Sequence, residues 1–88
     1  MNEPKEYQMK PVRKKAIQFK GDENIDSVKK FCPIAKENMT NTFQKQLIIK
    51  TNAGDMAALK GDWIVKGLLG EFYPVKDEIF QSTYDVVK

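Results

Sequence analysis

Residues 61–80 read GDWIVKGLLGEFYPVKDEIF, one tryptophan and three further aromatics set among glycines. Gly61-Asp62 has turn chemistry, WIVK (63–66) is a β-branched and aromatic run, GLLG (67–70) reverses the chain, and EFYPV (71–75) returns along it. The glycines suit hairpin ends, where a positive φ or a bulge is needed and a side chain would clash. Along WIVK, Trp63 and Val65 face one way and Ile64 and Lys66 the other; on the return, Phe72 opposes Glu71, Tyr73 and Val75. Neither face is purely polar. A sheet built here needs helices over one side and its own curl, a loop or a partner over part of the other. Large side chains at strand and helix spacing are usually core, so the four aromatics are expected mostly inside. Pro74 has no N–H for a ladder and belongs at an edge or strand end.

Working outward, KDEIFQSTYDVVK (76–88) reads as a terminal helix, with Asp77 and Glu78 favourable in its first turn and Ile79, Phe80, Thr83 and Tyr84 along one stripe. Burial of that stripe is expected to hold the sheet together. Each fully buried Ile or Phe contributes about 1.5–3 kcal/mol against a net stability of about 5–10 kcal/mol for so small a domain, so loss of the helix should unfold it. On the N-terminal side, QLIIKT (46–51), NAGD (52–55) and MAALK (56–60) read as strand, turn and strand. VRKKAIQF (12–19) alternates imperfectly and reads as a first strand, with Lys15, Ile17 and Phe19 on one side and Ala16 and Gln18 on the other. KGDENIDSVKKFCP (20–33) supplies a turn and a short helix capped by Asn24 or Asp22, its face made of Ile25, Val28, Phe31 and Cys32 and its end marked by Pro33. IAKENMTNTFQK (34–45) is rich in Asn and Thr and reads as a loop. The expected class is α+β: a small antiparallel sheet of about five strands with a meander-like C-terminal half, a short helix after the first strand, and a C-terminal helix.

The 88 residues fit one domain, 1–88, with 1–10 as a flexible lead. Hydrophobic residues make up 41% and charged residues 31%, which places the chain among folded globular proteins rather than disordered ones. No apolar run approaches the roughly 20 residues that span a bilayer, and MNEPKEYQMK lacks the apolar centre of a signal peptide, so no membrane role and a cytoplasmic location are expected. Cys32 is the only cysteine and has no disulfide partner within the chain. The absence of histidine removes the usual general base, the commonest metal ligand and every Ser-His or Cys-His pair. Carboxylate chemistry would need Asp55, Asp62 and Glu71, all near hairpin turns, to converge; turn chemistry explains the two aspartates equally well. The expectation is a non-enzyme without catalytic residues, metal or cofactor.

Charge is unevenly spread. Residues 1–20 hold six basic and two acidic side chains, while the other 68 hold nine basic and ten acidic ones. Such a segment attracts phosphate or an acidic protein surface, or simply keeps an exposed strand soluble. The candidate interaction surface is Lys10, Arg13, Lys14, Lys15 and Lys20 together with Trp63 and Tyr73.

KPVRKKAIQFKGD (10–22), followed by GDWIVKGLLGEFYPVKDEIFQSTYDVV (61–87), resembles a family of small uncharacterised proteins encoded by bacteriophages and prophages of Gram-positive bacteria. The likeness is in the order of elements: a Lys-Pro-Val lead, a Gly-Asp-aromatic-Ile turn and strand, a Gly-Glu-x-Tyr-Pro return, and an Ile-Phe-x-x-x-Tyr helix. It covers roughly the first 25 and last 30 residues. Relatives often carry proline at the position of Asp77; both residues suit a helix start. The resemblance implies a phage or prophage origin and a bacterial host cytoplasm, and brings no known activity. Two functions remain in view: a module that binds a host or phage protein and modulates a host enzyme or defence system, or a nucleic-acid-binding accessory protein using the basic N-terminal strand, with Trp63 or Tyr73 stacking on bases. A sheet with two partly apolar faces would also gain from a homodimer.

Overall fold

The computed structural model describes residues 4–6, 13–40 and 43–85; Lys10 and most of the 1–10 lead lie outside the described residues. The elements run β1 (Lys15–Gln18), a 3-10 turn (Gly21–Glu23), α1 (Ile25–Phe31), β2 (Lys36–Met39), β3 (Lys45–Thr51), β4 (Gly54–Ala58), β5 (Trp63–Lys66), β6 (Phe72–Val75) and α2 (Asp77–Thr83). The fold is α+β. Its strands form two three-stranded antiparallel sheets, ordered β1-β5-β6 and β2-β3-β4, so there is one strand more than the sequence suggests and two sheets in place of one.

The added strand is β2, in the segment that reads as a loop. All four of its side chains are exposed, so no apolar alternation marks it. Its order comes from backbone pairing with β3, in the register Lys36↔Ile48 to Met39↔Lys45, and from surface ion pairs of Glu37 with Lys29 at 2.9 Å and with Lys45 at 3.6 Å. The chain changes sheets between β4 and β5. There Asp62 N–H donates to Leu59 O at 2.9 Å, Gly61 N–H donates to Phe19 O at 2.7 Å, and Phe19 N–H donates to Asp62 O at 2.8 Å. Gly61 sits at φ +101°, a conformation that L side chains rarely adopt, which is why this corner carries glycine.

One buried cluster joins both sheets to α1: Ile64 and Phe19 from the first sheet and its exit, Leu47, Ile49 and Ala58 from the second, and Ile25, Val28 and Cys32 from the helix. Ile17, Phe31 and Phe72 pack against it from partly buried positions. The face expected for α1 is therefore the face it buries. Ile17 pairs with Ile64 and Lys15 with Lys66, so the odd-numbered residues of β1 take the core side, as their alternation requires.

The C-terminal helix differs from expectation. Burial of α2 was expected to seal the core, yet it has no buried residue, and Ile79 is 57% exposed. It is short, and Tyr84 already has extended backbone. Its packing is on the other face of the first sheet, where Phe80 lies on Trp63 and Val65 is fully buried. The four aromatics of residues 61–80 are correspondingly half-buried rather than core; they join sheet to helix. Among the described residues no helix is long and apolar enough to cross a membrane.

Candidate functional site

An open groove of about 770 Å³ runs from the α2 side of the first sheet over the edge of β1. Antiparallel register places Ala16 beside Val65, Gln18 beside Trp63, and Tyr73 beside Val65 on its other flank, so these side chains share that face. Phe80 and Tyr84, one helical turn apart, complete an aromatic column: Trp63 and Phe80 stack with centroids 3.9 Å apart and planes 5° from parallel, and Phe80 and Tyr84 follow at 4.8 Å and 27°. Phe80 is thus covered on both sides, and the indole is pinned at its edge, donating from Nε1 to Asp77 Oδ1 at 2.8 Å. That bond, with a second from Gln81 Nε2 at 3.2 Å, holds the Asp77 carboxyl below the usual carboxylate range.

The groove's polar rim is basic. Arg13, Lys14 and Lys15 line it, against Asp85 as the one acidic lining residue among the described residues. Lys14 Nζ donates to the Tyr73 hydroxyl at 3.0 Å and lies 5.7 Å from the Tyr73 ring centre and 6.0 Å from that of Tyr84. The hydrogen bond to Tyr73 raises the Lys14 ammonium above its ordinary value, and the neighbouring Tyr73 hydroxyl raises the Tyr84 hydroxyl above its own. These contacts hold the cation in place while Lys14 stays exposed.

The fold thus gathers Arg13, Lys14, Lys15, Trp63 and, through Lys14, Tyr73. It does not bring Lys20 to them. Lys20 lies past the far end of β1, in a separate polar hollow with Lys45 and Lys60. Phe31, Phe80 and Tyr84 are groove residues that the sequence reading assigns to core faces; the Phe80–Tyr84 spacing shows a stripe but not what the stripe covers.

The carboxylates considered for catalysis are not brought together among the described residues. Asp62 is buried and accepts from Leu59 N–H and Lys76 Nζ, each at 3.0 Å. Asp55 is exposed in β4 opposite Lys50, and Glu71 precedes β6, its carbonyl accepting from Gly67 N–H at 2.7 Å. Among the described residues no three His, Cys, Asp or Glu side chains gather so as to hold a metal. Cys32 is fully buried, and desolvation pushes its thiol up, the opposite of what a nucleophile needs.

Comparison with protein-family models, with curated proteins and with solved structures finds no match for this chain.

Proposed function

We propose that this chain is a non-enzymatic protein-binding module of phage or prophage origin, acting in the bacterial host cytoplasm on a host enzyme or defence protein through the groove between β1 and α2. The observation that carries the reading is the groove itself: an apolar floor with a basic rim matches the anchor-and-rim build of protein interfaces. The lack of histidine and the separation of Asp62, Asp55 and Glu71 support a binding role over a catalytic one. The phage origin rests on the resemblance in element order alone.

The same basic side chains would suit nucleic acid, but the aromatic column favours protein. Base stacking needs free ring faces. Phe80 has both faces covered, and Trp63 and Tyr84 each have one face against Phe80. A single arginine also gives little purchase on phosphates.

A photo-crosslinking side chain at Gln81, which lines the groove, should capture one dominant protein from host cells, and the double variant Lys14→Glu, Lys15→Glu should lose it. A crosslinker at Asn52, in the β3–β4 turn, should not capture it. Equal capture from both positions would remove the groove as the site. A gel shift near roughly 50 mM salt tests the alternative; a shift that weakens steeply with added salt would replace the protein partner with nucleic acid.

A further inference from the structure

We propose that the groove receives an extended acidic segment of the partner as a fourth strand of the first sheet, paired at Ala16 with the edge of β1 that is open among the described residues. This rests on the protein-binding reading of the groove and specifies its occupant.

In the β1–β5 ladder, Phe19 N–H donates to Asp62 O at 2.8 Å and Phe19 O accepts from Gly61 N–H at 2.7 Å, so both backbone groups of Phe19 face β5. These groups alternate along an antiparallel strand. Ile17 and Lys15 therefore also face β5, while Ala16 and Gln18 turn theirs outward. The outward carbonyl of Gln18 is occupied, accepting from Asn24 Nδ2 at 2.7 Å. Among the described residues, the N–H of Gln18 and both the N–H and the carbonyl of Ala16 have no partner. Lys15 and Ile17 from one face of β1 and Lys14 and Ala16 from the other all line the groove, so it passes over the edge of the strand rather than lying on one face. An open edge of this kind offers the donors and acceptors that another extended chain satisfies.

The sheet's other edge is closed to this mode. Ile64 and Pro74 form a pair whose backbone groups point away from each other, so the N–H that proline lacks is missing from the outer edge of β6.

Charge selects the occupant. An added strand enters a groove lined by Arg13, Lys14 and Lys15 at one end of β1, where carboxylates are favoured, and by apolar groups that include Phe31 and Trp63 farther along, where an aliphatic or aromatic side chain is favoured. A second copy paired through β1 would set both basic triplets along one short ladder, like charge near like.

The test selects binders to the full chain from a displayed library of random octapeptides, then measures the best as a free peptide by fluorescence anisotropy. The expected consensus has acidic residues at one end and an apolar residue beyond them. N-methylation of alternate peptide bonds should abolish binding in one register and spare it in the other, because only one set of amides faces β1. The bound peptide should slow hydrogen exchange of the Ala16 amide, and Lys14→Glu with Lys15→Glu should weaken binding about tenfold or more. If that pair impairs folding, Arg13→Glu carries the same test. A consensus without acids, indifference to methylation in both registers, or unchanged exchange at Ala16 would overturn strand addition while leaving the groove as a protein site. Dimerisation through β1, or peptide binding seen only after residues 1–9 are removed, would give the edge to this chain itself and overturn it as well. Capture at Asn52 but not at Gln81 is the separate result that fails the groove.

Discussion

Phe43 holds its backbone at φ 59° while its side chain is 85% exposed, so an unfavourable left-handed conformation is kept without compensating burial. The turn around it explains how: Phe43 N–H donates to Thr40 O at 3.0 Å, Gln44 N–H to Thr40 Oγ1 at 3.0 Å, and Thr40 N–H to Gln44 O at 2.8 Å, and these fix the reversal into β3. Asparagine tolerates this region better than phenylalanine, so Phe43→Asn should stabilise the fold by about 0.5–1 kcal/mol, or about 2–8 °C in Tm. A thermal melt checks it, and a lower Tm would mean that the ring makes a contact worth more than the strain. Asp62 is the converse case. Its carboxylate, on a residue only 6% exposed, receives the Leu59 N–H at 3.0 Å, so Asp62→Ala removes a hydrogen bond to a charged group and should cost about 1–3 kcal/mol. The Lys76 ammonium on the same carboxylate is largely in water, and Lys76→Met should cost less than about 1 kcal/mol. Urea midpoints of the two variants separate the roles; equal losses would shift the weight from the backbone bond to the ion pair.

At the scale of elements, α2 is an attachment to the sheet rather than its seal. Phe80→Ala removes the stack on Trp63 and should cost about 1–2 kcal/mol, with Trp63 emission moving toward that of an exposed indole, while melting stays cooperative. Ile79→Ala, on the exposed side of the helix, should leave both nearly unchanged. The Trp63–Asp77 bond adds a pH response. Because the folded Asp77 carboxyl lies below its unfolded value, its contribution is fully present above about pH 4 and is lost as pH falls through the lower folded value. Trp63 fluorescence should therefore change in acid with a step that Asp77→Asn lacks, since the amide oxygen still accepts from the indole but does not titrate. A step of equal size in that variant would place the acid response elsewhere. The strands and α1 were legible because each has a face with period two or near four: Leu47 and Ile49, Ile17 and Phe19, Ile25 and Val28 all point where their spacing directs them. β2 was not, because Lys-Glu-Asn-Met exposes both faces and owes its strand to β3. The stripe of α2 was visible, but spacing gives a face and not the surface it meets. For the same reason the groove was only half legible: the basic run and Trp63 stand out in sequence, whereas Phe31 and Tyr84 join them only through tertiary packing.

Across the whole molecule, the two sheets share one cluster and so should not unfold separately. Ile64 belongs to the first sheet and Leu47 to the second, and both are fully buried within that cluster. Truncating either to alanine removes about 2–5 kcal/mol, a large share of what a domain of this size has. If the shared cluster governs stability, Leu47→Ala and Ile64→Ala should each lower the transition of the entire molecule, and far-ultraviolet ellipticity and Trp63 fluorescence should move together in both. Trp63 reports on the first sheet alone, so Leu47→Ala is the sharper case: the damage lies in the sheet that the probe does not occupy. Coincident transitions in that variant would show the first sheet failing with the second. A Trp63 transition that stays at the wild-type temperature while ellipticity falls early would mean that the sheets are held independently, and that the groove on the first sheet persists when the second is lost.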